Sequence, residues 1–270
     1  MSIKKIEMIN FRNHEDTTFD FSPGINIIWG ENGSGKTSII EAVHILSNGK
    51  SFKTNRLVET ITSNRKEAIV RAVFGDKNMV FHQTKKPSKK IKINNIEKST
   101  KDLVGKNPTV LVSPEEEKIT KGPHSERRRF FDRVFSNISK TYFNNLINYS
   151  TTLKNRNTLL KQQKNKHEIE IWNNPLIKYG CQLWEEKKLL HLKFNKNIEG
   201  VCGGYNKKVD ITVSLDCPGD TTQNWFRNRL SEKLEKELFL GRTLSGPHLD
   251  KYTTNFNNKD LRVYGSQGEH

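Results

Sequence analysis

The chain has 270 residues with a formal net charge of +16, and 33% of its residues are hydrophobic. A chain of this length can bury one large core or two smaller ones. It has no twenty-residue apolar run and no signal peptide, so we expect a cytoplasmic protein without a membrane segment. It also has no internal repeat, which excludes a solenoid. Its three cysteines lack C-x-x-C spacing, which favours reduced thiols over a zinc site.

The positive charge predicts a polyanionic partner. A nucleic acid gains affinity by releasing counterions when lysine and arginine neutralise its phosphates. The alternative is compositional drift, because lysine outnumbers arginine here as it does in proteins from AT-rich genomes. Such drift exchanges arginine for lysine and creates no excess charge, so nucleic acid is the favoured partner.

The first twenty residues alternate apolar and polar positions, which predicts an antiparallel β-hairpin. Its polar tip is Arg12, Asn13 and His14, and Pro23 and Gly24 interrupt the pattern afterwards. The tip is either a solvated turn or, because few residues join the hairpin to the following segment, a neighbour of whatever the next loop binds.

The next segment carries the most specific pattern in the sequence. The pattern is G-x-x-x-x-G-K-[ST], matched at every defined position by Gly30, Glu31, Asn32, Gly33, Ser34, Gly35, Lys36 and Thr37. Residues 25–29 before it predict a short buried strand, and residues 38–47 after it predict a helix that stops at Gly49. A phosphate-binding loop requires this order of strand, loop and helix.

This arrangement predicts binding of a nucleoside triphosphate. Glycines let successive N–H groups point into one concavity, and the dipole of the following helix favours negative charge there. Lys36 would reach the β- and γ-phosphates of ATP, and the Thr37 hydroxyl would ligate Mg²⁺. The alternative is a glycine-rich turn without a ligand.

Polar and strand-like segments follow the helix. Residues 50–56 place three cations around Phe52, which suits phosphate contact or, as the favoured interpretation, a solvated loop. A basic turn is predicted at residues 85–90. A period of two predicts an antiparallel meander from three segments, residues 67–74, 79–84 and 90–96.

Residues 109–112 predict another buried strand, which leads into the start of a helix. Ser113 as N-cap, Pro114 at the first helical position and Glu116 at the third form a capping box. Residues 121–123 are expected to end this helical segment.

From residue 125 onward the pattern has a helical period. It predicts a long amphipathic region with a break near residues 136–140, and apolar side chains lie four apart at Phe130, Val134, Ile138 and Tyr142. Arginines 127–129 open this region, and their charge suits a helix start only beside an anion or a carboxylate.

The remaining segments are shorter. A second helix is predicted at residues 176–198, ended by the glycines of residues 200–204, and a third helix at residues 222–239. Strands are predicted at residues 209–215 and 260–263. Between them, residues 243–250 form a compact turn that contains a histidine and an aspartate.

Seven short motifs in this order resemble the RecF family of bacterial DNA replication and repair ATPases, which is related to SMC and ABC-type ATPase heads. The loop from Gly30 to Thr37 alone is generic, whereas the seven motifs in this order are specific. The stretch of chain between the loop and the last motif is too short for the long coiled-coil arm of SMC proteins. The other six motifs are Arg12-Asn13-His14, Gly49-Lys50-Ser51-Phe52, Ser113-Pro114-Glu115, Gly122 with residues 125–130, Asp132 and Arg133, Leu244-Ser245-Gly246-Pro247-His248-Leu249-Asp250, and Ser266-Gln267-Gly268.

The resemblance implies an α/β fold, namely an ABC-type P-loop ATPase head with an inserted, mostly helical lobe. Residues 1–122 would be the N-terminal part of the head, residues 123–239 the helical lobe and residues 240–270 the start of the C-terminal part of the head. It also implies a homodimer that holds ATP and Mg²⁺ between the loop of one subunit and the signature motif of the other, here Ser266, Gln267 and Gly268.

The resemblance further implies ATP-dependent binding of single-stranded, gapped or duplex DNA. The family acts in DNA replication, recombinational repair and the SOS response, with RecR and RecO as partners. Its members are weak, DNA-stimulated ATPases.

The chain departs from the family at its end. Members continue into a Walker B strand with acidic residues, whereas this sequence stops at His270, so we expect a truncated member that lacks the C-terminal Walker B part. No catalytic residue is identified, because Glu115, Glu116 and Glu117 follow the wrong strand. We expect ATP binding without turnover, and an unpaired apolar edge along residues 25–29.

Two other functions stay open at this point. A P-loop kinase would need an acceptor pocket and an arginine lid, which residues 127–129 would imitate, but no Walker B acid is evident. A nonenzymatic fragment that binds ATP and DNA would need no such acid.

Overall fold

The computed structural model describes residues 2–86, 88–113, 117–205 and 209–266 of the chain. The structure divides into two compact units, Met1–Leu111 and Val112–His270. The sequence predicts three segments with boundaries at residues 122 and 239, and that division stays a prediction. None of the described helices has the length and apolar character that crossing a membrane requires.

The first unit contains a six-stranded antiparallel sheet. Its strands are β1 (Ile3–Phe11), β2 (His14–Asp20), β3 (Glu67–Phe74), β4 (Lys77–Thr84), β5 (Lys89–Ile93) and β6 (Ile96–Lys98). They lie in the order β2-β1-β3-β4-β5-β6, which confirms the predicted hairpin and meander. Alternation with a period of two places Ala68, Val70 and Ala72 of β3 on the buried face.

One helix, α1 (Lys36–Asn48), covers this buried face and confirms the helix predicted after the loop. It buries Ile39, Ala42 and Ile45, which recur at helical spacing. The Gly49 N–H donates a hydrogen bond to the Ile45 carbonyl and ends the helix where the sequence predicts. A 3-10 turn at Leu57–Thr60 and a short helix, α2 (Thr100–Leu103), complete the unit.

Two segments that the sequence predicts to be buried strands form no strand. Residues 25–29 and 109–112 have no regular secondary structure, and the Ile27 and Val112 side chains are 82% and 85% exposed. A strand needs a neighbour that pairs its backbone groups, and none of the described strands pairs with either segment. The expected unpaired apolar segment before the loop is therefore present, but it is not a strand.

The second unit is mostly helical. Its core contains large aromatic side chains, among them Phe131, Tyr142 and Trp184. Its described helices are α3 (Lys118–Lys121), α4 (His124–Ile138), α5 (Lys140–Lys161), α6 (Lys166–Glu170), α7 (Asn173–Tyr205), α8 (Gln223–Leu240) and α9 (Leu261–Tyr264). Strands β7 (Ile211–Asp216), β8 (Lys251–Phe256) and β9 (Lys259–Asp260) form an antiparallel sheet in that order.

The break predicted in the amphipathic region is confirmed, because α4 ends at Ile138 and α5 begins at Lys140. The Ser139 hydroxyl between them accepts a hydrogen bond from the Tyr142 N–H and caps α5. The helix end predicted at residues 121–123 agrees with α3, which ends at Lys121 with Gly122 as its C-cap. The Pro114, Glu115 and Glu116 positions of the predicted capping box lie outside the described residues.

Two other predicted boundaries are wrong. Helix α7 continues through the glycines of residues 200–204 to Tyr205, because lengthening a formed helix is easier than starting one, even with the glycine penalty of about 1 kcal/mol. The strand predicted at residues 260–263 is largely helix α9. The Asp260 carboxylate accepts a hydrogen bond from the Arg262 N–H and caps this helix.

Candidate nucleotide-binding site

The loop between residues 30 and 35 turns tightly into the start of α1. Gly33 and Gly35 adopt φ values of +85° and +96°, a left-handed conformation that favours glycine. Helix α1 begins directly afterwards at Lys36. Its first turn has N–H groups without an intrahelical acceptor, and these groups suit an anion.

Lys36 and Thr37 line an open cavity of about 490 Å³ in front of this helix start. The Lys36 ammonium donates hydrogen bonds to the Gly30 and Glu31 carbonyl oxygens at 2.8 and 2.7 Å. Asn32, Gly33 and Gly35 line the same cavity. The loop residues predicted from the sequence therefore bring a cation, a hydroxyl and a helix N-terminus to one space, which fits a nucleoside triphosphate with Mg²⁺.

The hairpin tip lies against this loop. Asn13 Nδ2 donates a hydrogen bond to the Gly33 carbonyl at 2.8 Å, and His14 Nε2 donates to the Gly35 carbonyl at 3.2 Å. A Cβ atom at Gly35 would overlap the His14 ring and the Asn13 side chain, so only glycine fits under the tip. Of the two interpretations of residues 12–14, the solvated turn is therefore wrong.

A buried carboxylate connects the tip to the loop that follows α1. Glu41 is fully buried in α1, and its oxygens accept hydrogen bonds from Arg12 Nε at 2.9 Å and Arg12 Nη2 at 2.7 Å. The Ser51 hydroxyl also donates to Glu41, and Lys53 Nζ lies 4.0 Å from it. Arg12 and Lys53 both line the cavity, so Glu41 holds two cations at its edge.

The importance of Glu41 is not evident from the motifs. Helical periodicity could have indicated it, because Glu41 is a charged residue on the buried face of α1, beside Ala42 and Ile45. The solvated-loop interpretation of residues 50–56 is only partly correct. Lys50 and Arg56 are exposed, whereas the Ser51 hydroxyl donates to Glu41 and the exposed Lys53 lines the cavity.

The structure describes one residue of the predicted signature motif. Ser266 follows α9 and Gly265 and is exposed. Gln267 and Gly268 lie outside the described residues. In the described ranges no group of three or more His, Cys, Asp or Glu side chains is arranged to hold a metal ion. Thr37 is the candidate Mg²⁺ ligand by its place at the end of the loop, where it lines the cavity.

Known proteins resemble the chain along its whole length. The family described as AAA domain matches residues 5–238. The DNA replication and repair proteins RecF of Clostridium novyi and Lachnoclostridium phytofermentans are 34% and 35% identical to it, and each alignment covers 100% of this chain and 77% of the relative. The chain thus spans about three quarters of the length of these relatives.

Solved structures give the same result. A structure described as the recombination mediator protein RecF with ATP in the RecFOR pathway has a TM-score of 0.89 and 30% identity, covering 99% of this chain and 76% of that one. An SMC head domain from Pyrococcus furiosus has a TM-score of 0.51 and 15% identity, covering 99% and 75%, which shows a shared fold alone. The expected α/β fold of an ABC-type ATPase head with a helical lobe is confirmed. The chain belongs to the RecF family of DNA replication and repair proteins.

Proposed function

We propose that the chain is an ATP-dependent DNA-binding protein of the RecF type, acting in DNA replication, recombinational repair and the SOS response. One observation carries this proposal, namely the contact of Asn13 and His14 with the loop whose Lys36 and Thr37 line the cavity. These contacts hold the loop against the hairpin tip, which supports its proposed role as a phosphate-binding loop. The likeness to a RecF structure described with ATP supports the same conclusion.

Each loop residue has a role in this proposal. The backbone of Gly30, Glu31, Asn32, Gly33, Ser34 and Gly35 encloses the phosphates, Lys36 exchanges its carbonyl partners for phosphate oxygens, and Thr37 ligates Mg²⁺. Bound Mg²⁺ would neutralise phosphate charge. Arg12 and Lys53 add two cations at the edge of the cavity. We assign no catalytic residue.

The assembly is also a proposal. In a homodimer, Ser266, Gln267 and Gly268 of one subunit would face the ATP held by the other, since a serine hydroxyl and N–H groups suit the γ-phosphate. RecR and RecO are the proposed protein partners, because a similar structure is described as part of the RecFOR pathway. The net charge of +16 supports DNA as the third partner.

The kinase alternative is disfavoured by the positions of the arginines at residues 127 and 128. Arg127 is 3% exposed and donates hydrogen bonds to the carbonyl oxygens of Gly122 and Tyr252. Arg128 donates to the Asp250 carbonyl at 2.8 Å. These guanidinium groups hold backbone segments of the second unit together, which is not the role of a mobile lid.

Nucleotide binding is tested by the change Lys36→Ala. It removes a charge-assisted contact of about 1.5–3 kcal/mol, so the affinity for a fluorescent ATP analogue with Mg²⁺ should fall roughly ten- to hundredfold. Lys101→Ala is the matched control, because Lys101 is an exposed lysine of the same unit outside the cavity. Equal affinities of wild type and Lys36→Ala, with the fold intact by circular dichroism, would refute the assignment.

A further inference from the structure

The second unit contains a cleft of about 570 Å³ that the nucleotide site does not explain. Helices α4, α5 and α7 and the turn at Pro247–Leu249 form its walls. All of these elements belong to the same compact unit. The cleft is large enough to take a nucleotide-sized group.

The floor of the cleft is largely apolar, and Lys187, which also lines the cleft, is buried and paired with Asp250 at 2.7 Å. Leu146, Leu153 and Leu183 line it. The Tyr149 hydroxyl donates to His248 Nδ1 at 2.7 Å, and His248 Nε2 donates to the Thr243 carbonyl at 3.2 Å. Burial lowers the pKa of His248 to about 4, so the ring is neutral near pH 7. The polar groups of the floor are thus satisfied within the protein.

The rim of the cleft is cationic. Lys154 and Lys161 project from α5, about 10 Å apart along the helix axis. Both are exposed, and neither forms an ion pair within the described residues. Arg128 and Arg129 lie on α4 at the opposite wall, where Arg128 donates to the Asp250 carbonyl and Arg129 pairs with Glu126. The two lysines of α5 are therefore the rim cations without such partners in the described part of the chain, and the acidic Asp132 of the lining accepts a hydrogen bond from Tyr142.

One side chain of the wall supplies an oriented donor. Asn157 Oδ1 accepts hydrogen bonds from the Thr243 N–H at 2.8 Å and from the Thr243 hydroxyl at 2.7 Å. The amide group of Asn157 is therefore fixed, with its NH₂ as the remaining donor. Ser150 and Thr158 also line the cleft, and the Thr158 hydroxyl donates to the Lys154 carbonyl, which leaves its oxygen as an acceptor. These groups can pair with the edge of a base.

We propose that this cleft binds an unpaired nucleotide of single-stranded DNA, with its base on the apolar floor and its flanking phosphates on the cationic rim. Single strands are bound by a surface against which unpaired bases pack, combined with cations that follow the backbone, and the leucines and rim lysines of this cleft supply both. A base in a duplex stays stacked and cannot enter. The inference rests on the proposed DNA binding. It adds where on the protein the DNA binds, and it selects single-stranded DNA among the forms that the resemblance implies.

The first test measures the affinity of the 270-residue chain for fluorescein-labelled dT20 and for a duplex of equal length by anisotropy. The double change Lys154→Gln and Lys161→Gln removes two rim cations, and Lys193→Gln with Lys196→Gln is the matched control on α7, with the same loss of charge at exposed positions. The rim variant should weaken dT20 binding about tenfold or more and lower the salt slope by about 1.4, the value for two single-strand phosphate contacts. The control should weaken dT20 and duplex binding alike and much less.

A second measurement does not depend on variants. Photo-crosslinking of an oligonucleotide that carries 4-thiothymidine should label the peptide that contains residues 146–158. Labels confined to other peptides would overturn the proposal. So would equal dT20 affinities of the rim variant and the control.

Two further outcomes distinguish a failure of the proposed function from a failure of this inference alone. If the wild-type chain binds neither dT20 nor duplex, the proposed function fails together with this inference. If wild type binds dT20 but the crosslinks lie only in other peptides, while an acidic peptide that contains a phenylalanine binds at residues 146–158, the cleft is a protein-docking site and the nucleotide proposal is refuted. Binding of dT20 that depends on the rim lysines supports both.

Discussion

The Glu41 carboxylate has no exposed surface, and Arg12 holds both of its oxygens. Contiguous residues formed the motif that predicted the loop, so the sequence was sufficient to place Lys36 and Thr37 together at the start of α1 beside the cavity. Glu41 and Arg12 are 29 positions apart. No local pattern pairs residues at that distance, and therefore this part of the site could be found only in the folded chain.

At this scale we predict that Arg12→Met lowers the free energy of unfolding by about 3 kcal/mol, because it leaves a buried carboxylate without its main partner. Arg71→Met is the matched control in the same sheet, where Arg71 pairs with the partly exposed Glu7 at 2.7 Å. The control should cost at most about 1 kcal/mol. Urea unfolding measures both, and equal losses would contradict the role assigned to Glu41.

The pH dependence of stability should depend on His248. The unfolded chain protonates this histidine below about pH 6.5, whereas the folded unit keeps it neutral until its pKa of about 4, mainly because burial disfavours the charged ring. The folded state is therefore stabilised fully above pH 6.5, and this contribution is lost as the pH falls towards 4.

Between pH 7.5 and 5.0 this contribution should change by about 2 kcal/mol, and His248→Gln should remove that change. His167→Gln is the control, because His167 is an exposed histidine of the same unit. Urea unfolding at the two pH values measures the difference. The same pH dependence in wild type and His248→Gln would show that the ring is not held neutral.

At the scale of elements, apolar periodicity predicted both helices and strands. A periodic segment is buried, however, only where another element of the fold packs against it or pairs with it. The period of two in β3 is matched by β1 and β4 on either side. Residues 25–29 have no such neighbour among the described strands, and Ile25, Ile27 and Trp29 face solvent. The resemblance predicted an unpaired apolar edge here, but the loss of the strand itself was not predicted, because backbone pairing depends on other segments of the chain.

This exposure predicts that the same substitution has different effects on stability at two adjacent isoleucines. Ile27→Lys should leave stability within about 0.5 kcal/mol of wild type, as surface changes do, and should reduce self-association of the chain. Ile28→Lys should cost about 2 kcal/mol or more, because Ile28 packs against the core. Thermal unfolding and light scattering measure the two effects. An equal loss of stability for both variants would show that Ile27 is buried in solution.

At the scale of the whole molecule, the order of the motifs was enough to predict the family and the fold class. Motifs such as residues 49–52 and 244–250 are contiguous, and they occur in one order along a chain that is 34% identical to a RecF protein. The division into Met1–Leu111 and Val112–His270 was not predicted, because packing between distant segments decides it.

The net charge of +16 favours binding of any polyanion, so binding of DNA alone does not test the proposed function. An ATP-dependent DNA-binding protein must change its DNA affinity when ATP occupies the loop. The most direct measurement is the DNA affinity of wild type and Lys36→Ala at one fixed salt concentration, with and without ATP and Mg²⁺. We predict that ATP raises the affinity of wild type and leaves that of Lys36→Ala unchanged, with both proteins equal when no nucleotide is present. The same DNA affinity of wild type with and without ATP would contradict the proposed function.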